Sequence, residues 1–235
     1  MSEVILPSGS VPWSGRQILK AVGGGLLVGV VLLVPIFLAG LMDAPLPRIG
    51  AIAGLVTYGA VLLSTWFFIF RKRSSDLAAL HLTRPGPTLV FQMLLLTVAI
   101  LIAEGLVITV LSSVAGDLPT GSEQILGTDS ISLSPLDGVL LGFVVVVLGP
   151  FVEEVLFRGL LLQWLAARKP EGAAILITSA VFAIAHGFSP LVVTYFLLGL
   201  AISLVMVRTR NLTAAVLVHG FHNLAAFAVI AAAAG

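Results

Sequence analysis

The chain of 235 residues has no cysteine and few charged residues, at 10% of the total. Without cysteine there is no disulfide and no thiolate metal site, and redox chemistry says nothing about the compartment. A soluble domain carries about 25% charged residues, so this chain has too few to cover a surface in water. Its 12 Lys and Arg nearly balance its 11 Asp and Glu, which gives no reason to expect a nucleic-acid partner. The 59% of hydrophobic residues instead indicate a membrane protein.

Several apolar stretches exceed the roughly 20 residues that a helix needs to cross the hydrocarbon of a bilayer. Seven spans are predicted, at 20–42, 49–70, 87–113, 136–167, 173–187, 190–207 and 212–234. The fourth would reach about 48 Å at about 1.5 Å per residue, which is too long for a simple span. Gly149-Pro150 predicts a kink there, or a break that adds an eighth helix. We therefore expect an all-α polytopic bundle of seven spans, or eight if the fourth segment breaks.

Basic residues fall in alternate connections between the predicted spans. They are Arg16 and Lys20, then Arg71, Lys72, Arg73 and Arg84, then Arg168 and Lys169, and finally Arg208 and Arg210. The loop at about 114–135 carries acids but no Lys or Arg. Because basic residues favour the cytoplasmic side, this pattern predicts a cytoplasmic N-terminus. We expect a multi-pass protein of the cell membrane, and the short loops favour a prokaryotic plasma membrane.

Ionisable side chains within the spans are few, although each costs about 2.5–3.5 kcal/mol at mid-membrane on insertion scales. They are Glu104, Glu153, Glu154, Arg158, His186, His219 and His222, with Asn223 as a neutral companion. All except Glu104 lie in the last hundred residues or so, on three predicted helices at roughly one depth. Scattered structural polar residues would not be expected to cluster in this way. The pattern indicates a functional site inside the bilayer, in the C-terminal half.

The spacing of these residues divides them into roles. Glu154 and Arg158 are i,i+4 on a helix and can form an ion pair. Glu153 points about 100° away on the same turn, which leaves one carboxylate for chemistry. The i,i+4 spacing recurs in two further pairs, Phe182 with His186 and His219 with Asn223.

At these positions the chain resembles the CPBP family of intramembrane proteases, which includes the type II CAAX prenyl endopeptidase and bacterial abortive-infection-like proteins. Its three motifs occur in order, EExxxR at 153–158, FxxxH at 182–186 and HxxxN at 219–223. The resemblance divides the chain into three parts: an N-terminal transmembrane region (1–135), a family-like catalytic core (136–227), and an Ala-rich end of the last span (228–235).

The resemblance implies hydrolysis of a peptide bond inside the membrane, in a membrane-associated peptide or protein. Carried over, Glu153 would act as general base on a water that His186 helps to orient. His219 and Asn223 match the residues that stabilise the tetrahedral oxyanion. With no cysteine, no GxSxG and no serine in the motifs, a water nucleophile is easier to build here than an acyl-enzyme.

The remaining polar residues receive supporting roles or none. Glu154 and Arg158 complete the first motif and are expected to hold and orient it, and Phe182 places an aromatic ring beside the imidazole. His222 is not a motif position, so its role is open. Glu104 is expected to face a polar interior or to pair locally.

Metal dependence is open at this level. Glu153, His186 and His219 could form a three-ligand zinc site with an open position for water. The chain has no HExxH, the usual metalloprotease helix, and we favour a reaction without a cofactor.

The same residues also allow structural and non-catalytic interpretations. The carboxylates and Arg158 could form a structural ion-pair network, and His186 could be a packing histidine. His219 and Asn223 could simply hydrogen-bond across helices. A non-catalytic relative, acting as a bacteriocin-immunity or membrane-scaffold protein, is then the main alternative. A proton-coupled transporter is weaker, because it would favour repeat symmetry that the chain lacks.

Overall fold

The computed structural model describes residues 11–38, 44–72, 74–116 and 133–233, and the regular structure in these ranges is helical, without a strand. Its long helices are α1 (Gly15–Leu38), α2 (Leu46–Phe70), α3 (Pro87–Ala115), α4 (Pro135–Ala166), α5 (Glu171–Ala185), α6 (Val192–Thr209) and α7 (Leu212–Ala233). A short 3₁₀ helix, Ser74–Leu80, precedes α3. Six of the seven are long and apolar enough to cross a membrane, and the apolar α5 is shorter, at 15 residues.

The prediction of an all-α, multi-pass membrane protein is confirmed, and each predicted span corresponds to one helix. The cytoplasmic position of the N-terminus stays a prediction. Parts of the predicted organisation lie outside the described residues: positions 39–42 and 234 of two spans, Arg73, and 117–132 of the acidic loop.

Helix α4 continues past Pro150 and does not break into two helices. Wide π turns run over Phe143–Leu148 and again over Val155–Leu162, and the helix continues through both. Proline has no N–H to donate and its ring crowds the preceding turn, so a wider turn accommodates it. The predicted eighth helix is therefore not found in the described part of this segment.

The chain forms two compact units. Unit 1 comprises Met1–Gly15, Ser75–Leu118 and Glu153–His222, and unit 2 comprises Arg16–Ser74, Pro119–Val152 and Asn223–Gly235. In unit 1, α5 packs along α6, the C-terminal part of α4 contacts α5 and α6, and α3 contacts α6. Helix α3 thus belongs to the same unit as most of the residues predicted to be catalytic.

In unit 2, α1 and α2 approach closely at two small residues of α1. A Cβ placed on Gly25 would lie 2.5 Å from the Val61 Cα, and one on Gly29 would lie 3.3 Å from the Thr57 Cα. Glycine at these positions lets the two backbones approach, as in small-xxx-small pairs of membrane helices.

In unit 1, two long-range hydrogen bonds to backbone carbonyls attach loop segments to the helices. The indole of Trp13, which is almost fully buried, donates to the Leu160 carbonyl oxygen at 3.1 Å. The backbone N–H of Leu212, at the start of α7, donates to the His81 carbonyl oxygen at 3.0 Å. These contacts fix the C-terminal part of α4 and the beginning of α7, which carry polar residues of the site.

Candidate active site

Three of the four residues predicted to be catalytic meet in unit 1. The Glu153 Oε2 atom lies 3.5 Å from His186 Nε2 and 3.9 Å from His219 Nε2. Glu153 comes from α4, His186 from the residue that ends α5, and His219 from α7. The structure brings them together around one carboxylate oxygen, while their catalytic roles stay predictions.

The surroundings of His186 determine which ring nitrogen carries a proton. Its Nδ1 lies 2.8 Å from the Phe182 carbonyl oxygen. A carbonyl oxygen can only accept, so Nδ1 must carry a hydrogen. In the neutral ring Nε2 is then an acceptor, and it faces Glu153 Oε2, which is also an acceptor when ionised. Because the two acceptors are only 3.5 Å apart, a water molecule beside them, within hydrogen-bond distance of both, could donate one O–H to each.

Beneath this carboxylate lies a fully buried pair, Glu154 with Arg158. Glu154 Oε1 accepts from Arg158 Nη1 at 2.8 Å, so the i,i+4 pair expected from the spacing forms. The guanidinium also donates to the Gly199 carbonyl oxygen at 2.8 Å and to Ser203 Oγ at 3.3 Å. Arg158 is thereby tied to α6 as well as to its own helix, which holds both glutamates of the motif in place.

The same Glu154 oxygen also contacts a second helix. His219 Nδ1 lies 2.8 Å from Glu154 Oε1. Since Arg158 pairs with that oxygen, we treat Glu154 as ionised, and His219 Nδ1 is then the donor. The bond turns the opposite ring nitrogen, Nε2, toward Glu153. Glu154 therefore orients His219, much as a carboxylate orients a metal-bound or catalytic imidazole in other enzymes.

Phe182 is the aromatic centre of this cluster and is fully buried. Its ring lies 4.4 Å from the His186 ring and 5.6 Å from the His219 ring. The Arg158 guanidinium sits 4.6 Å from its centroid, within the range of a cation–π contact. Phe182 thus contacts both histidines and limits their freedom to rotate.

Asn223 lies one helical turn beyond His219 on α7 and belongs to unit 2. Its Nδ2 donates to the Val145 carbonyl oxygen at 2.9 Å. In a π turn, the N–H of a residue donates to the carbonyl oxygen five residues earlier. Val145 lies five residues before Pro150, which has no N–H to donate. The amide of Asn223 therefore satisfies a carbonyl that Pro150 cannot serve. Its predicted role in stabilising an oxyanion stays a prediction.

A double-mutant cycle separates these two roles of Asn223. Asn223→Ala should destabilise the protein by about 0.5–2 kcal/mol, because a hydrogen bond to a buried carbonyl is lost. Pro150→Ala restores a backbone N–H, so in that background the loss from Asn223→Ala should shrink. Unfolding in mixed detergent would measure stability, and peptide cleavage would measure activity. Undiminished loss of stability in the Pro150→Ala background would contradict the backbone role, and recovered cleavage would contradict the oxyanion role.

Two features of the site could not be identified from the motifs. Tyr195 of α6 stacks on the His186 ring, with centroids 4.6 Å apart and planes at 27°. His222 Nε2 lies 2.7 Å from Glu104 Oε2, so the two residues without an assigned role pair with each other. The sequence signal for the second feature was the cost of placing the ionisable residues Glu104 and His222 in apolar spans, and Tyr195 gave no such signal.

Glu153, His186 and His219 are also the residues that could serve as ligands of a metal ion. Among the described residues, no group of three or more His, Asp or Glu side chains is arranged to hold a metal ion. Glu153, His186 and His219 therefore do not form a ready three-ligand site in this conformation. We derive no step of the reaction through a metal, and metal dependence stays a matter for experiment.

Fold and site together define a multi-pass helical membrane protein with a partly buried carboxylate–histidine centre. Residues 135–225 match the family described as type II CAAX prenyl endopeptidase Rce1-like. The match covers less than half of the chain and supports the membership of the CPBP family that the motifs predicted. Neither the search of curated proteins nor the search of solved structures found a match.

Proposed function

We propose that this protein is an intramembrane endopeptidase that hydrolyses a peptide bond of a membrane-associated substrate with a water activated by Glu153 and His186. The observation that carries the proposal is the position of Glu153 Oε2, within 3.5 Å and 3.9 Å of two imidazole nitrogens from other helices. The match of residues 135–225 to a protease family supports it. The non-catalytic alternative is not favoured, since the motif set is intact.

In the first step, a water lies between Glu153 and His186. Glu153 takes one proton as the water oxygen bonds to the carbonyl carbon of the scissile peptide, and His186 Nε2 accepts from the second O–H and directs the lone pair. Proton transfer by a positioned base of this kind contributes about 10²–10⁴-fold to the rate. The neighbouring helices exclude bulk water and hold the base in a fixed position.

In the second step, negative charge collects on the former carbonyl oxygen. His219 can donate to it from Nε2 only when both ring nitrogens carry hydrogen, because Nδ1 already donates to Glu154. His219 would therefore act as an imidazolium, with the Glu154 carboxylate as its counter-charge. Asn223 would supply a second donor by its place in the HxxxN motif.

In the last step, the tetrahedral intermediate collapses and the C–N bond breaks. The leaving nitrogen must gain a proton, because an amide anion is too poor a leaving group. The products are a carboxylic acid and an amine, and the water has been consumed. We propose that the reaction needs no cofactor and takes place in the plasma membrane of a prokaryote, on a peptide or protein held by the lipid bilayer.

The test is cleavage of a quenched-fluorescent, lipid-modified peptide by the full chain, purified in detergent, with and without a chelator. We expect cleavage that survives the chelator. Activity that the chelator abolishes and zinc restores would establish a metalloprotease in place of the metal-free reaction. Binding of a panel of such peptides without cleavage of any would contradict the proposal and favour the non-catalytic alternative.

A further inference from the structure

Glu104 and His222 form a second carboxylate–imidazole pair in unit 1. Glu104 Oε2 lies 2.7 Å from His222 Nε2. Glu104 belongs to α3 and lies outside residues 135–225, and His222 is neither of the two motif positions of α7. The pair is therefore assigned by neither the family match nor the motifs.

The pair borders the centre through Tyr195. The Tyr195 ring stacks on His186, and the tyrosine lies close enough to Glu104 and Glu153 for both charges to act on its hydroxyl. His222 also lies three residues after His219, so the two side chains are neighbours on the surface of α7. Tyr195 and the neighbouring turn of α7 therefore place the second pair near the Glu153–His186 pair, in the same unit.

The side chains of these two pairs are partly exposed, whereas those of Glu154 and Arg158 are fully buried. Glu104 and His222 keep 10% and 14% of their side-chain surface exposed, against 17% for Glu153 and 24% for His186. Glu154 and Arg158 keep none. Glu104 and His222 are thus partly accessible, as Glu153 and His186 are, and contact with a substrate requires such access.

We propose that His222, held and charged by Glu104, is the acid that protonates the leaving amine nitrogen, and this inference rests on the proposed peptidase function. Glu153 would then act only on the water. A buried acid and base with separate tasks is a common solution for hydrolysis, since each must be in the correct protonation state at the start. Ionisable residues at this depth in a span are also expected to be functional.

Glu153 and His222 return to their starting protonation states after one turnover. Glu153 gains a proton from the attacking water. As the C–N bond breaks, its electron pair goes to nitrogen, which takes a proton from the His222 imidazolium. His222 is left neutral and Glu153 protonated, and transfer of one proton from Glu153 to His222 through water restores the starting state. No oxidant, reductant or further reactant is required.

The experiment compares two substrates with the same acyl segment, one with a peptide bond and one with an aryl ester. An aryloxide leaves without a proton, whereas an amine does not. In His222→Gln, which can still hydrogen-bond to Glu104, peptide cleavage should fall by about 10²-fold. Ester cleavage should stay within about twofold of wild type, as expected when only leaving-group protonation is lost. Glu104→Gln should show the same selective loss.

Ester cleavage also reports on folding, because it needs the rest of the centre intact. Glu171→Gln, which also places a glutamine in unit 1 but at the start of α5, is the matched control and should leave both rates unchanged. Equal loss of both activities in His222→Gln, or loss of neither, would overturn the assignment while leaving the peptidase in place. A wild-type chain that cleaves neither substrate would overturn the proposed function and this inference together.

Discussion

Glu153→Gln should lower kcat for peptide cleavage by about 10²–10⁴-fold, the range for loss of a general base. The amide keeps the size of the side chain but cannot take a proton from water. KM should change little, because the substitution leaves the substrate-binding surface of the protein unaltered. Initial rates with the fluorogenic peptide over a range of concentrations would give both constants.

Glu171→Gln is the matched control, since it also neutralises a glutamate of unit 1. Glu171 begins α5 and is not among the residues around Glu153, so its replacement should leave kcat near wild type. The two variants should melt at similar temperatures in detergent. Cleavage by Glu153→Gln at the wild-type rate would exclude the mechanism, whatever the stability of the variant.

The second large effect should be on stability. Arg158→Met leaves the Glu154 carboxylate buried without the guanidinium that pairs with it. Breaking one side of a buried ion pair costs about 3–5 kcal/mol, because the remaining charge stays out of water. The Gly199 carbonyl oxygen also loses its donor from this arginine. We expect a large drop in the free energy of unfolding, measured in mixed detergent micelles.

The double substitution Glu154→Leu with Arg158→Met should recover most of that loss, because replacing a buried pair with apolar groups is often neutral or stabilising. It should not recover cleavage, since His219 Nδ1 loses the carboxylate that orients it. A double variant as unstable as Arg158→Met alone would show that the pair is not the source of the effect. Full cleavage by a folded double variant would show that His219 needs no such partner.

Local rules explain what could be predicted along each helix. Glu154 and Arg158 pair as their i,i+4 spacing indicated, and Pro150 perturbs α4 where its missing N–H required. The form of that perturbation, a continuous helix with π turns, could not be predicted. It depends on a donor for the Val145 carbonyl, and that donor, Asn223, is 78 residues away.

The sequence by itself indicated that the protein lies in a membrane and that its fold is all-α. In lipid, the backbone N–H and C=O groups of such an apolar chain can be hydrogen-bonded within each segment only if it is helical. It also indicated which polar residues to expect at a functional site, since each is costly in a span. Only the tertiary structure decided which of them meet. Glu154 with His219 and Glu104 with His222 are contacts between helices, 65 and 118 residues apart in the chain. Partners of that kind follow from how helices pack, and no spacing along one helix specifies them.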